Sequence, residues 1–304
     1  MSSTWRQRFY GEERENAIKK PFKGDVHMLF CCLNYAGTES PLGCIVDGER
    51  LTDAAAAKGV SDITKLYDEG ESSGLPTKEN LINTIKDLGS RCKPGDYFVF
   101  HFSGHGTGVD DEDGDEEDGQ DEALCLMDEG LLTDDELAAL LVEAIPQDTL
   151  VLLLVDACAS GTILDVQKPG MWGGRKVACF SGCQDSQCSQ DTGNGGAMTN
   201  ALLEALEKKS CKKRRKAKTA SVQFIFNRMV DKLDEAQEEG EEDEDEEDCD
   251  EEYDEDEEEY DEEEEEEDAG ALIDPISGEE RDEGQDLNLS WCGGCDPTKM
   301  PFPF

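Results

Sequence analysis

The 304-residue sequence lacks the long apolar segments of membrane and secreted proteins. Its longest apolar run, Leu150–Val155, has six residues, whereas a membrane-spanning helix needs about 20. The N-terminal residues contain no apolar core like that of a signal peptide. Without an export signal, we expect the 13 cysteines to be reduced thiols and not a disulfide framework. The sequence therefore predicts a cytoplasmic protein without membrane partners.

Basic residues are also scarce, because 28 Lys and Arg stand against 75 Asp and Glu, giving a net charge of −47. Residues Glu238–Asp268 hold 27 of these acids in 31 positions and no base. This acidic tract cannot bury a core, so we predict that it is disordered. The charge disfavours binding to nucleic acids and anionic membranes, which are polyanions themselves, and favours basic partners or divalent cations.

The few bases are concentrated in one segment, Lys208–Lys218, with eight in eleven residues. This basic segment has four interpretations that the sequence leaves open. It is a solvated loop, a nuclear-localisation signal, a cleavage site for the protein's own specificity, or an electrostatic partner of the acidic tract.

Strand-like and helix-like segments alternate from Asp25 onward, a pattern typical of an α/β fold with a largely parallel sheet. Strands are predicted at His27–Leu33, Ser61–Tyr67, Asp96–Phe102, Ala123–Met127, Thr149–Asp156, Lys176–Ser181 and Asp286–Trp291. Helices are predicted at 43–58, 77–88, 133–145, 196–209 and 219–236. Because a strand follows the acidic tract, we interpret the tract as an insertion and not as a tail.

Two predicted strands end in small-residue turns that carry a histidine and a cysteine. Asp96–Phe102 leads to His105, and Thr149–Asp156 leads to Cys158. If the two strands are parallel neighbours, their carboxyl ends open on one crevice and the two side chains face each other. An imidazole can accept the proton of a thiol and later protonate a leaving amine. The pair predicts nucleophilic catalysis, although most cysteines in such folds are only buried hydrophobes.

The sequence around this pair resembles that of the metacaspases. Phe102–Thr107 with the acidic loop 110–124 resembles their histidine motif, and Asp156–Thr162 with Asp165 resembles their cysteine motif. Three further segments are similar to the first strand and helix and to the small-subunit region: residues 34–35 with 43–47, residues 181–187, and residues 196–199. The arrangement is nearest the first type of metacaspase without its prodomain. Ala159 departs from the family, which commonly has histidine there.

The resemblance implies a caspase-like three-layer α/β/α sandwich and a calcium-dependent cysteine endopeptidase that cleaves after Arg or Lys and processes itself. It implies that His105 is the general base and acid and that Cys158 is the nucleophile. The implied oxyanion donors are the backbone N–H groups of Gly106 and Cys158. The implied specificity pocket consists of Asp47, Cys44, Ser103 and Asp156, and the implied calcium ligands are Asp121, Asp134, Asp135 and Asp165. Asp134 and Asp135 also suit the first turn of a helix.

We therefore expect an N-terminal extension at 1–24, a large-subunit-like catalytic region at 25–168 and a small-subunit-like region at 169–236. The acidic insertion at 237–284 and a closing segment at 285–304 complete the organisation. The expected partners are protein or peptide substrates with Arg or Lys before the scissile bond, and the expected state is a monomer. Lys168, Arg175 and Lys176 are the linker candidates for self-cleavage, although Pro169 makes Lys168 a poor one. The alternative function is an inactive caspase-fold scaffold whose acidic tract binds basic proteins or calcium.

Overall fold

The computed structural model of the protein describes residues 17–18, 22–110, 120–157, 166–168, 170–182, 195–207, 219–244, 287–292 and 295–304. The chain divides into a main unit, Met1–Leu233 with Gln285–Phe304, and a second unit, Asp234–Gly284. Among the described residues, no helix has the length and apolar character that crossing a membrane requires.

The described residues form eleven strands and five helices. The strands are β1 Ala17–Ile18, β2 Val26–Cys32, β3 Asp62–Tyr67, β4 Tyr97–Ser103, β5 Gly106–Asp110, β6 Gln120–Cys125, β7 Leu131–Thr133, β8 Leu150–Asp156, β9 Lys176–Gly182, β10 Thr219–Ala220 and β11 Leu287–Trp291. The helices are α1 Ile45–Ala57, α2 Lys78–Arg91, α3 Asp134–Ala144, α4 Ala197–Leu206 and α5 Val222–Glu244.

A six-stranded sheet in the order β11-β9-β8-β4-β2-β3 organises the main unit. Its strands are parallel except β11, which pairs antiparallel with β9. The two motif-bearing strands are parallel neighbours, because β4 and β8 pair along their whole lengths. Ser103 lies opposite Asp156 at the carboxyl ends of this pair.

Both faces of the sheet are covered, as the predicted α/β/α layers require. The residues of β4 are all buried, as are nearly all of those of β2 and β8. Helix α1 packs beside α4, and α2 packs beside α3. Such doubly covered parallel strands consist of continuous apolar runs. The mostly parallel α/β fold predicted from the sequence is confirmed.

Local signals explain where two of the helices begin. The Thr77 hydroxyl accepts the Asn80 N–H at the start of α2. Thr133 and Glu136 form a capping box at the start of α3. Helix α4 differs, because its N-cap residue is Gly196, which has no side chain to accept a hydrogen bond.

Three features differ from the sequence prediction. Residues around the acidic loop form a small antiparallel sheet in the order β5-β6-β7, in which β6 starts three residues before the predicted strand. The two-residue strands β1 and β10 pair with each other. Helix α5 continues to Glu244, so its last seven residues belong to the acidic tract. The remainder of the tract lies outside the described residues.

Candidate active site

The carboxyl ends of β4 and β8, each two residues before a candidate catalytic residue, lie opposite each other in the sheet. His105 follows Ser103 by two residues, and Cys158 follows Asp156 by two residues. The Gly104 N–H donates to the Asp156 carbonyl at 3.3 Å, so the pairing extends one step beyond the strands. Cys158 itself lies outside the described residues. The sheet thus joins the two segments that the sequence predicts to work together.

His105 is half-buried and held through its ring and its backbone. Its Nε2 lies 2.7 Å from the Ser40 carbonyl oxygen, which can only accept a hydrogen bond. In the neutral imidazole, Nε2 therefore carries the proton and Nδ1 keeps its lone pair. The ring packs against Tyr35 with the centroids 4.5 Å apart. This arrangement leaves Nδ1 as the basic nitrogen.

Tyr35 links the histidine segment to β6. The His105 N–H donates to the Tyr35 hydroxyl at 2.8 Å, and this hydroxyl donates to the Cys125 carbonyl at 2.7 Å. Tyr35 itself has φ 51°, a left-handed conformation that is costly for a residue with a side chain. The Asp68 carboxylate holds it there by accepting the backbone N–H groups of Asn34 and Tyr35 at 2.9 and 2.7 Å. Tyr35 is therefore a positioning residue for His105.

Substitution Tyr35→Phe should lower kcat about tenfold and leave KM nearly unchanged, because it removes one hydrogen bond that orients the base. The ring contact with His105 remains in this variant. Steady-state kinetics with one peptide substrate measures the effect, and Tyr67→Phe is the matched control on β3. An equal loss in both variants would contradict the positioning role.

The candidate oxyanion donor Gly106 is the first residue of β5 and lies opposite Leu124 of β6. The Cys125 N–H donates to the His105 carbonyl at 3.0 Å. This pattern marks Gly106 and Leu124 as a pair that does not exchange hydrogen bonds. The Gly106 N–H is therefore directed away from β6. The second predicted donor, the N–H of Cys158, lies outside the described residues.

The structure brings the predicted pocket residues together under the strand ends. Asp47 of α1 and Asp156 of β8 are both fully buried, as are Cys44 and Ser103. The Ser103 hydroxyl donates to Asp47 Oδ2 at 2.9 Å. Cys44 is the N-cap residue of α1, and its carbonyl accepts the Asp47 N–H at 3.1 Å. These contacts join α1 to the ends of β4 and β8.

Helix α4 directs its N-terminus at the two carboxylates. The Gly196 N–H donates to Asp47 at 2.9 Å, and the Thr199 N–H and hydroxyl donate to Asp156 Oδ2 at 3.0 and 2.9 Å. A side chain at Gly196 would collide with the Asp156 carboxylate. Asp47 and Asp156 thus cap a helix that has no capping side chain of its own, and its dipole favours their negative charge.

The buried pair is costly to ionise fully. Burial and, to a smaller extent, the neighbouring Asp156 raise the pKa of Asp47 to about 7. The Gly196 N–H, the Ser103 hydroxyl and Arg50 oppose this shift. Near neutral pH the pair therefore holds between one and two negative charges, which suits a buried cationic ligand.

The predicted calcium ligands lie around β6 and the start of α3. Asp121 and Asp134 are 8% and 3% exposed, and Asp135 is half-buried in the first turn of α3. Ala123 of β6 pairs with Thr133, so Asp121 and Asp134 lie near each other in register. Nearly buried carboxylates on adjacent elements are hard oxygen donors that suit calcium. No group of three or more possible metal ligands occurs among the described residues, and Asp165 lies outside them.

The sequence prediction missed the residues that position the site. Ser40, Tyr35, Asp68 and Thr199 act through backbone or long-range contacts, for which single-sequence spacing gives no signal. Only Tyr35 and Thr199 stood within the segments that carry the family resemblance. The other two histidines have separate places. His27 lies at the opposite sheet end, 2.5 Å from Asp62, and His101 is buried below the pocket.

Comparisons with known proteins find similarity to the metacaspases. The family model for the metacaspase peptidase C14 domain matches residues 27–167. Metacaspase-2 of Arabidopsis thaliana is 35% identical over 223 residues, which cover 62% of this chain and 53% of the relative. Metacaspase-1 of Candida glabrata is 32% identical over 192 residues, which cover 57% of this chain and 48% of the relative.

A crystal structure of a protein from Geobacter sulfurreducens is similar with a TM-score of 0.51 and 26% identity, over 69% of this chain and 89% of that one. The chain spans about half the length of the two curated relatives described above. Residues 27–167, which the family model matches, include the carboxyl ends of β4 and β8. These matches show that residues 27–167 are similar to the metacaspase peptidase C14 domain, and the structural similarity agrees with a caspase-like α/β fold.

Proposed function

We propose that the protein is a calcium-dependent cysteine endopeptidase that cleaves after Arg or Lys, with Cys158 as nucleophile and His105 as general base. The observation that carries the proposal is the hydrogen bond from His105 Nε2 to the Ser40 carbonyl. It fixes the tautomer that a general base needs, at the strand end beside the one that leads to Cys158. The similarity of residues 27–167 to the metacaspase peptidase domain supports the same reaction class.

The reaction follows from these groups. The Cys158 thiol gives its proton to His105 Nδ1, and the thiolate attacks the scissile carbonyl carbon. The Gly106 N–H donates to the oxygen that becomes negative. The C–N bond breaks as His105 returns the proton to the leaving amine, which leaves a thioester on Cys158. Water then attacks the thioester carbonyl carbon and gives a proton to His105. The C–S bond breaks, the carboxylic acid leaves, and His105 returns the proton to the Cys158 sulfur.

Asp47 and Asp156 supply the proposed preference for a cationic residue. A guanidinium or ammonium group can donate charge-assisted hydrogen bonds to such a pair of carboxylates, whereas the carboxylates repel an aspartate side chain. The substrates are therefore proteins or peptides with Arg or Lys before the scissile bond. We propose a monomeric enzyme without nucleic acid or membrane partners, which agrees with the excess of acidic residues.

An inactive scaffold is the competing candidate. The observation that favours it is that both carboxylates already accept backbone N–H groups of α4, which gives them a structural role. In that case the acidic tract would be the functional element, with basic proteins or calcium as its ligands.

Hydrolysis of matched fluorogenic peptides ending in Arg, Lys or Asp separates these candidates. The full chain and its Cys158→Ala variant are assayed with calcium and with chelator. Cleavage after Arg and Lys that vanishes in Cys158→Ala is expected. A folded wild-type protein that cleaves none of the peptides would support the scaffold.

Calcium is the proposed cofactor, with Asp121, Asp134, Asp135 and Asp165 as its ligands. Bound there, calcium would supply positive charge that neutralises these carboxylates and ties β6 to the start of α3. We expect Asp134→Asn to raise the half-maximal calcium concentration at least about tenfold, because calcium affinity depends on the number of charged ligands.

Two readouts test this expectation, the peptidase activity and the calcium-induced rise in melting temperature. The matched control is Glu143→Gln, an exposed acid in the last turn of the same helix. Equal calcium responses in both variants would contradict the site and would assign any calcium binding to the acidic tract.

Self-cleavage is a further part of the proposal. The contacts of the described linker residues disfavour two of its candidate sites, Arg175 and Lys176. The Arg175 guanidinium donates to the carbonyls of Val142 and Ile145 at 2.6 and 3.1 Å, which binds it to the end of α3. Lys176 begins β9 inside the main sheet. Cleavage after either residue would require the Arg175 hydrogen bonds or the start of β9 to open first. Because Pro169 makes Lys168 a poor site, we propose self-cleavage in the basic segment Lys208–Lys218, which lies outside the described residues and whose composition fits the proposed specificity.

A further inference from the structure

A chain of buried polar groups runs beneath the two pocket carboxylates, on the sheet face that α1 and α4 cover. Its centre is His101 of β4, which is fully buried. His101 Nδ1 lies 3.5 Å from Cys32 Sγ of β2, and Nε2 lies 3.5 Å from the Thr199 hydroxyl of α4. That hydroxyl is the group that donates to Asp156. The chain therefore ends on a pocket carboxylate.

The hydrogen bonds of this chain have a defined direction. The single hydroxyl proton of Thr199 is used on Asp156 Oδ2, so Thr199 presents a lone pair to His101. His101 Nε2 must then carry a proton and donate it, which leaves Nδ1 as an acceptor for the Cys32 S–H group. Burial lowers the pKa of His101 to about 3, so the ring stays neutral at physiological pH.

The other end of this series of polar groups lies beside the residue that follows Asp47 on α1. This residue is Gly48, which packs so closely against Cys32 that an added Cβ would lie 2.7 Å from Sγ. Burial also raises the pKa of the Cys32 thiol well above its ordinary value. His101 and Cys32 are therefore not a second catalytic pair. They connect α1, which carries Asp47, to Thr199 of α4, whose hydroxyl donates to Asp156.

We propose that His101 is a positioning residue for substrate specificity, which fixes the Thr199 hydroxyl on Asp156 and so sets the orientation of that carboxylate toward a cationic substrate side chain. This inference rests on the proposed cleavage after Arg or Lys. It assigns a role to a buried histidine that touches neither the substrate nor the reacting atoms.

Substitution His101→Phe keeps a ring in the core but removes the donor to Thr199. We expect KM for an arginyl peptide to rise about tenfold with kcat nearly unchanged, because the hydrogen bond that orients the carboxylate pair is lost. Gln at position 101 can restore an N–H near Nε2, so His101→Gln should keep KM close to that of the wild type. Val99→Ala, a buried change on the same strand and face, is the matched control.

Thr199 provides a second test if His101→Phe does not fold. Thr199→Val should raise KM as His101→Phe does, and Thr199→Ser should not. Because both residues act through one chain, the double variant His101→Phe/Thr199→Val should be no worse than the more affected single variant. Additive increases in KM, or a loss confined to kcat, would overturn the positioning role.

A measurement without substrate tests the hydrogen-bond direction itself. Nitrogen-15 NMR of the Cys158→Ala protein should show His101 as the neutral Nε2–H tautomer throughout about pH 5 to 8. An Nε2 atom without a proton, or a titration of His101 within this range, would contradict the proposed direction of these hydrogen bonds. If the wild type cleaves arginyl peptides but His101→Phe leaves KM unchanged, only this inference fails. If the wild type cleaves no peptide, the proposed function fails and the inference with it.

Discussion

Substitution His105→Gln lowers kcat/KM for an arginyl peptide by about 10³-fold, because general acid–base catalysis by a positioned side chain contributes roughly that much. Glutamine can still donate to the Ser40 carbonyl but has no basic nitrogen to replace Nδ1. The loss is therefore expected in kcat, with KM and the melting temperature little changed. Steady-state kinetics and thermal unfolding of the same preparations measure these quantities.

The other two histidines of the chain give matched controls for this experiment. His101→Gln should retain activity, as argued above. His27→Gln should lower stability without lowering kcat, because His27 lies between Asp62 and Asp96 at the far end of the sheet, 2.5 and 3.5 Å from their carboxylates. A similar loss of kcat in all three variants would contradict the assignment of His105 as the base.

Substitution Asp47→Asn has the second large effect, on the choice of substrate. We expect the ratio of kcat/KM between an arginyl peptide and its neutral citrulline analogue to fall about 10²-fold, because a buried charge-assisted hydrogen bond is lost. Asparagine can still accept the Gly196 N–H and contact Ser103. Asp53→Asn, an exposed change on the same helix, is the matched control and should leave the ratio unchanged.

The same ratio should depend on pH in the wild type. The pKa of Asp47 is about 7, raised by burial and by Asp156 and opposed by Gly196, Ser103 and Arg50. Above this pH both carboxylates are charged, so the preference for arginine should increase as pH rises through about 7. Taking the ratio of two peptides cancels pH effects that are common to both substrates. A pH-independent ratio in the wild type would contradict a titrating pocket.

Stability should change in the opposite direction. A buried carboxyl with a raised pKa favours its neutral form, so the folded protein loses stability as pH rises from about 4 to 7. Asp47→Asn avoids this loss, and we expect its free energy of unfolding at pH 8 to exceed that of the wild type by up to about 4 kcal/mol. Urea unfolding in a Cys158→Ala background measures the difference without self-cleavage. A destabilised variant at pH 8 would contradict the electrostatic account.

The main sheet was predictable because its strands are apolar runs that end in turns. Leu150–Val155 and the segment before Ser103 gave strong signals, and their pairing follows from the rules of α/β folds. Strand β5 gave no such signal, since its sequence GTGVD contains two glycines and an aspartate, which are depleted in strands. It forms because β6 pairs with it along its length.

The sequence indicated candidate residues for the site, but it did not indicate the long-range contacts that hold these residues in place. Single-sequence rules look for a capping side chain beside a helix start, and α4 begins with glycine. Its caps are Asp47 and Asp156, which are 149 residues before Gly196 and 43 residues before Thr199 in the sequence. The left-handed Tyr35 also depends on a distant carboxylate, that of Asp68. Such contacts are set by the folded chain and have no local pattern.

The most direct test of the account is covalent labelling with an arginyl fluoromethyl ketone, followed by peptide mass spectrometry. The account predicts one adduct, on Cys158, that forms slowly in His105→Gln and does not form with the aspartyl analogue. Burial raises the pKa of the thiols of Cys31, Cys32, Cys92, Cys179 and Cys295, so these should stay unlabelled. Labelling of other cysteines with Cys158 untouched, or equal labelling by both reagents, would contradict the proposed nucleophile and its specificity.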